Sequence, residues 1–352
     1  MSLLHHEEVV VRRGERSGIQ LVVAIHSTTL GPALGGARLW RYAALGDAIA
    51  DALRLSQAMT YKAAAAGLDL GGGKAVLCAP PDRELPAELR RELMLDLGDV
   101  VEGLDGRYVT AEDVGTGTED MEVVGERTAH VVGRPVGAGG SGDPSPVTAR
   151  GVEAAMRASC EHRHGSDDLN GRVVAVVGLG HVGLALAERL AAAGVELRVS
   201  DIDESRRDSA ERIGARWVDP ADAMTVKCDV LAPCALGEAI DEDNVDDLRC
   251  EIVCGSANNL LASNSLAERL ANRDILYAPD FIANAGGLIN VYGELHDLER
   301  DRLDELVEGI GDALTRVFEL AATRSVSPLD AARAVALERL GAASEEAYAG
   351  VV

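Results

Sequence analysis

A chain of 352 residues is long for a single core and suits two domains, and 47% hydrophobic residues with no apolar run of membrane-spanning length describe a packed globular protein. Its formal charge of −24, from 58 acidic against 34 basic residues, repels nucleic acid and anionic membrane surfaces, so neither is an expected partner. Six cysteines without a CxxC pair and eight histidines without ligand spacing indicate reduced thiols and no metal; residues 1–16 are polar and charged, unlike a secretory leader, which makes the cytoplasm the expected setting.

The acid is spread over many segments, which excludes an acidic tail. Lysine occurs only at 62, 74 and 227, so 31 of the 34 basic residues are arginine. Such a surface fits work in high salt and equally a genome that favours arginine codons; both readings stay open.

In chain order, residues 20–25 read as a strand. Residues 31–38 (Gly-Pro-Ala-Leu-Gly-Gly-Ala-Arg) are dense in glycine and proline and read as a loop. Residues 43–66 have helical apolar spacing (Ile49, Leu53, Ala58) and carry Met59-Thr60-Tyr61-Lys62 near their end. Residues 68–79 are the pivot of the chain. Gly71, Gly72 and Gly73 hold no side chain over the backbone, so another molecule can come close. Lys74 follows at once and opens a buried strand, where desolvation lowers a lysine toward the range of a working acid or base. Arginine cannot serve there, because its guanidinium does not titrate. The plain alternative is a glycine-rich turn with an exposed lysine. A helix is expected over 86–101 and a strand over 107–110, leading into Ala111-Glu112-Asp113-Val114-Gly115-Thr116. Asp113 reads as a chemical group or as the N-cap of a helix over 114–124. Residues 133–146, rich in glycine and proline, read as a hinge or linker.

A helix over 147–164 precedes a compact unit. An apolar strand (171–177) enters Gly178-Leu179-Gly180-His181-Val182-Gly183, which opens a helix (184–193); a second strand (196–200) ends at Asp201. Strand, GxGxxG, helix, strand and acid in order form a dinucleotide-binding fingerprint. The glycines admit pyrophosphate to the helix N-terminus. Asp201, placed to accept from the adenine-ribose hydroxyls, favours NAD over NADP, although Arg206 and Arg207 stand just downstream. Strands over 230–232 and 252–254 lead into Cys234-Ala235 and Ala257-Asn258-Asn259, loops that line the ligand crevice of an open α/β sheet. His181 is expected to face solvent, and His5, His6 and His26 receive no role. A long helix over 290–322 and a last helix over 328–340 close the chain.

Five segments in order, Leu34-Gly35-Gly36-Ala37-Arg38, Met59 to Lys62, Gly71 to Lys74, Thr110 to Thr116 and Asn284-Ala285-Gly286-Gly287, resemble the Glu/Leu/Phe/Val amino-acid dehydrogenases, most closely the leucine and valine members. The resemblance covers nearly the whole length; the pair Pro80-Pro81 is a small departure. It implies an α/β fold of two domains separated by a cleft. An N-terminal substrate and oligomerisation domain (1–141) is rejoined by the C-terminal helix (about 323–352), and 142–322 form a Rossmann-type NAD-binding domain. It implies a homo-oligomer acting on a small-molecule amino-acid substrate. Lys62 would pair with the substrate α-carboxylate, aided by N–H groups of Gly35 and Gly36. Lys74, lowered by burial and the Lys62 charge, would activate water. Asp113 would carry protons at the amino group, and Asn258 would hold substrate and nicotinamide in register. Thr148, His181, Val182, Cys234, Ala235 and Ala257 would join the fingerprint residues in contacting NAD. Leu34, where glutamate enzymes have lysine, would with Ala111, Leu288 and Val291 form an apolar lining that rejects glutamate and favours leucine, valine and isoleucine. Phenylalanine dehydrogenase is the rival within the family, and a dinucleotide sensor without turnover the rival outside it.

Overall fold

The computed structural model describes residues 5–80, 85–235 and 237–349, with 343–349 by backbone only; Pro81 lies outside them. Contacts divide it into two compact units, Met1–Asp143, Val291–Leu298 and Ala336–Val352 in one, Pro144–Asn290 and Glu299–Val335 in the other. The division differs from the expected one in two stretches. Residues 291–298 group with the first unit because Glu294 is bonded to Gly133 and Ser141, and the last helix is shared between the units.

In the first unit, β1 (Glu8–Arg13), β2 (Gln20–Ser27), β3 (Ala33–Trp40), β4 (Gly71–Cys78) and β5 (Tyr108–Glu112) form one sheet in the order β1-β2-β4-β3-β5. The β1–β2 and β2–β4 pairings are antiparallel; β4–β3 and β3–β5 are parallel. Side chains alternate across a strand. Val22, Ala24 and Val76 therefore pack with Ala48, Ala52 and Leu53 of α1 (Leu45–Ala65). Leu21, Val23, Ala75 and Leu77 face the other way, into a core shared with α2 (Ala87–Glu102) and α3 (Thr118–Gly125).

Residues 33–38, expected as a loop, are strand, and Gly71 to Gly73 lie inside β4 instead of in front of it. Composition misled here because these glycines answer to crowding. A Cβ at Gly72 would meet the Thr60 backbone nitrogen on α1, one at Gly35 the Gly73 carbonyl, and one at Gly36 the Glu112 carbonyl and Asp113 Cβ. Glycine in a strand marks close approach as readily as a turn.

The second unit opens with α4 (Ser145–His164) and builds a parallel sheet from β6 (Val173–Val177), β7 (Glu196–Ser200), β8 (Arg216–Trp217), β9 (Val230–Pro233), β10 (Ile252–Val253) and β11 (Leu276–Tyr277). The order is β11-β10-β9-β6-β7-β8, so successive strands run outward one way from β6 and the other way from β9. Helices α5 (His181–Ala192), α6 (Arg207–Arg212), α7 (Ser265–Asn272) and α8 (Asp280–Ala283) lie between strands or follow the last. The expected helix over 290–322 is two, α9 (Gly286–Leu295) and α10 (Arg300–Arg324). Asp297 takes φ +48° and Glu299 is extended, which interrupts the helical hydrogen bonds. The last helix, α11 (Pro328–Ala349), runs past the expected end at 340. All six cysteines are free, four of them buried.

Candidate active site

Alternation decides what the first unit presents beside α1. Leu34, Gly36 and Arg38 of β3 share that side with Gly72 and Lys74 of β4 and with Val109 and Ala111 of β5. Asp113, just past β5, completes the group. Lys74, 5% exposed, donates from Nζ to Asp113 Oδ2 at 2.8 Å, and Arg38 Nε donates to the same oxygen at 2.9 Å. Among the described residues no hydrogen bond goes to Oδ1. Arg38 Nη1 also reaches Asp51 Oδ2 on α1 at 3.2 Å, an oxygen that accepts from the Tyr42 hydroxyl at 2.7 Å, while Arg54 holds Asp51 Oδ1 at 2.8 Å. Burial pushes the Lys74 ammonium below its ordinary pKa; Asp113 opposes this and the Arg38 charge adds to it. Arg38 is thus a cation acting on Lys74 that the sequence did not point to. Burial works to raise the Asp113 carboxyl, but the charges and hydrogen bonds of Lys74 and Arg38 outweigh it and hold the group below the usual carboxylate range.

Asp113 is no helix cap. Its N–H donates to Thr116 Oγ1, and α3 starts only at Thr118 with Gly117 before it. Lys62 sits half-buried in the last turn of α1, two residues after Thr60, which lies against Gly72. Gly35 and Gly36 pair with Thr110 and Ala111 of β5, and the β3–β4 register steps past them from Leu34–Gly72 to Ala37–Ala75. The Gly35 carbonyl accepts from the Tyr108 hydroxyl at 2.5 Å. Leu34 and Ala111 are buried at 2% and 6% exposure, and Val291, in the same unit, is 4.0 Å from where a Gly133 Cβ would stand. Leu288 is buried in the other unit.

In the second unit the loops after β6 and β9 meet at the point where the strand order reverses, the position where such sheets bind ligands. Gly178 has φ +102°, and a Cβ there would strike Ala235; a Cβ at Gly183 would strike the Gly178 carbonyl and crowd Cys234. A Cβ at Gly180 would meet nothing within 4 Å. That open space, at the first turn of α5 beside exposed His181, is the cradle a pyrophosphate needs. Asp201 closes the loop from below: Oδ2 accepts from the Leu179 N–H at 2.6 Å and Oδ1 from the Asp203 N–H at 2.8 Å. Each oxygen keeps a second lone pair for a ribose hydroxyl. Arg206 is turned to Asp203, and Arg207 to Glu204 and the face of Trp217. Asn258 is exposed, and its Oδ1 accepts from Asn284 Nδ2 at 2.8 Å, a donor that also reaches the Ser256 carbonyl. Thr148 stands at the first turn of α4, 3.1 Å from where a Gly287 Cβ would be.

Sequence reasoning gave no role to Arg38 or Asn284, although both lie in motifs it singled out. The signal for Arg38 is its even spacing from Leu34 and Gly36 along one strand. That spacing means nothing while 31–38 is read as a loop.

A switch-point cradle that fits a dinucleotide, with a buried lysine–carboxylate pair on the other unit, defines an NAD-dependent dehydrogenase. Residues 3–130 match the model of the Glu/Leu/Phe/Val dehydrogenase dimerisation domain, 196–347 match that of Glutamate/Leucine/Phenylalanine/Valine dehydrogenase, and 148–239 match an NAD-binding domain described from D-isomer specific 2-hydroxyacid dehydrogenases. The chain is 45% identical to a leucine dehydrogenase of Thermoactinomyces intermedius over 97% of its own length and 92% of the relative's. It is 44% identical to a valine dehydrogenase of Streptomyces virginiae, over 95% and 94%. The crystal structure of L-tryptophan dehydrogenase from Nostoc punctiforme superposes with a TM-score of 0.85 at 37% identity, over 97% of this chain and 98% of that one. The chain belongs to the Glu/Leu/Phe/Val dehydrogenase family, and its reaction is that of an NAD-dependent amino-acid dehydrogenase. Among the described residues no helix is long and apolar enough to cross a membrane.

Proposed function

We propose that the protein catalyses the reversible oxidative deamination of branched-chain L-amino acids (leucine, valine and isoleucine) to 2-oxo acids and ammonia. The observation that carries this reading is the buried Lys74–Asp113 pair on the same side of the sheet as the apolar positions Leu34 and Ala111. No cation stands at position 34 to meet a side-chain carboxylate, and burying one unpaired is disfavoured by several kcal/mol. Lys62 binds the α-carboxylate, with Gly35 and Gly36 offering backbone N–H groups, and Leu288 and Val291 extend the apolar lining.

The proton steps follow from the electrostatics. Asp113, kept ionised by Lys74 and Arg38, takes a proton from the substrate ammonium, with Oδ1 as the oxygen open to it. NAD, when held by the second unit, would supply the hydride acceptor that lets the substrate Cα–N bond become an iminium. Lys74 in its neutral form takes a proton from a water that adds to the iminium carbon. Asp113 then returns a proton to nitrogen, the C–N bond breaks, the departing ammonia takes the hydroxyl proton and leaves as ammonium, and the 2-oxo acid remains. Gly178, Gly180, Gly183, His181 and Val182 hold the pyrophosphate, Asp201 the adenine ribose, and Thr148, Cys234, Ala235, Ala257 and Asn258 the nicotinamide half, with Asn284 fixing the Asn258 amide. With Arg206 and Arg207 turned to carboxylates, Asp201 favours NAD over NADP. The match to a dimerisation domain supports a homo-oligomer built on the first unit, and the cytoplasm is its proposed setting.

The test is initial-rate NAD reduction with leucine, valine, isoleucine, phenylalanine, tryptophan and glutamate, for wild type and Lys74→Ala. Aliphatic turnover that falls at least ~100-fold in the variant supports the assignment. A preference for an aromatic substrate overturns the reading of Leu34 and Ala111. Bound NAD with no turnover on any amino acid points to a sensor.

A further inference from the structure

The second unit has a cleft of about 390 Å³ that the reaction does not use. Four cations line it, Arg198, Arg216, Lys227 and Arg249, together with Asp219 and Asp222. It exists because the crossover from β8 back to β9 is made of turns over residues 220–225 where a doubly wound sheet usually has a helix. Arg198 and Arg216 are register partners on β7 and β8. Lys227 and Arg249 precede β9 and β10, at the amino ends of parallel strands, the edge opposite the Gly178–Gly183 cradle.

The charge pattern is the unusual feature. Other arginines of this unit are tied to carboxylates, Arg163 to Asp274, Arg150 to Glu308, and Arg269 to Glu242 and Asp246. At the cleft, Arg216, Lys227 and Arg249 are exposed and have no ion pair among the described residues. Arg198 donates to the Lys227 carbonyl and pairs with Glu196 at 3.4 Å, but its Nε is buried with no hydrogen-bond partner among the described residues, as is Trp217 Nε1. Three unpaired cations gathered with Arg198 repel one another, and an anion among them removes that repulsion. A chain of net charge −24 does not attract anions by its overall field, so any that bind here must be held by local contacts.

We propose that this cleft is a second anion site, for a phosphorylated small molecule whose phosphate lies among Arg198, Arg216, Lys227 and Arg249 and whose hydroxyl groups donate to Asp219 and Asp222. Arginine forks match phosphate oxygens in pairs, and the volume suits a ligand of mononucleotide size. The proposal is independent of which amino acid is the substrate.

Inorganic pyrophosphate is the probe, titrated by calorimetry into the full chain with NAD at saturation, so that the dinucleotide cradle is filled, and with ionic strength held constant by chloride. One binding event per chain is expected, weakened at least about ten-fold in Arg216→Gln/Lys227→Gln. Both residues are exposed, so the variant should melt with the wild type in the absence of pyrophosphate and keep its turnover. Pyrophosphate should raise the melting midpoint of the wild type above that of a chloride control, and not that of the variant. No heat at millimolar pyrophosphate, or equal binding by wild type and variant, overturns the proposal.

Discussion

Replacing Arg38 with glutamine removes one of the two cations on Asp113 Oδ2 and leaves Lys74 as the other. The Arg38–Asp113 contact is 2.9 Å long between side chains 21% and 23% exposed, close enough and dry enough to count. A hydrogen bond to a charged group in such a place contributes about 1.5–3 kcal/mol. Its loss shifts the protonation equilibrium of Asp113 about ten- to hundred-fold toward the neutral acid. Lys74 loses a repelling neighbour and holds its proton more tightly. The proposed mechanism needs Asp113 ionised and Lys74 neutral, both deprotonated forms, so the acid limb of the kcat/KM profile moves to higher pH. Near neutral pH Asp113 stays ionised, so the fall in rate there follows the Lys74 shift, about ten-fold for one removed like charge, and the rate should recover on the alkaline side. Initial rates of NAD reduction from about pH 6 to about pH 11 read this directly. Arg38→Lys restores charge without the fork that spans Asp113 and Asp51, and its profile should fall between the two. A uniform loss of rate with an unmoved profile would refute the reasoning, because it would make Arg38 a structural residue only.

Three further outcomes follow from the same structure. Gly183→Ala drives a Cβ into the Gly178 carbonyl; it should destabilise the second unit by about 1–3 kcal/mol and raise the KM for NAD about ten-fold or more, and an unchanged KM would show that the cradle is elsewhere. Glu294 Oε2 accepts from the N–H groups of Gly133 and Ser141 and from the Ser141 hydroxyl, at 2.8, 2.9 and 2.6 Å. Glu294→Ala should therefore lower unfolding free energy by about 2–3 kcal/mol in denaturant titrations, and a change within error would mean that segment 133–141 is held by other contacts. Burial pushes His26 down to about 4 and, with burial again the main cause, lowers His6 as well. Their folded forms are neutral where an unfolded histidine, near 6.5, takes up a proton. Stability is thus complete above about pH 6.5 and declines as pH falls from there toward about 4. His26→Gln should flatten that part of the stability–pH curve, and curves of equal slope would contradict the assignment.

What the sequence determined by itself was local. Strand, GxGxxG, helix, strand and Asp201 lie within one supersecondary unit, where spacing along the chain nearly equals spacing in the fold, so this local motif was legible in the sequence. A lysine kept at 74 in a chain of arginines, next to three glycines, marked acid–base chemistry for a similar reason: titration is a property of residue type. Tertiary structure decided what depends on which distant groups become neighbours. Glycines at 35 and 36 read as loop, and Gly72 as preceding its strand, because composition does not register the backbone of Thr60 or Glu112 pressing on them. Arg38 became a partner of Asp113 only through the parallel pairing of β3 with β5, across 75 residues of chain. The break between α9 and α10 lies in a run whose apolar spacing continues, and it is the left-handed turn at Asp297 that ends the helix. Arg198, Arg216, Lys227 and Arg249 are scattered in sequence and share one cleft because β7, β8, β9 and β10 belong to one parallel sheet. Propensity and spacing act over a few residues, whereas burial and electrostatics act between whatever the fold brings within a few ångströms.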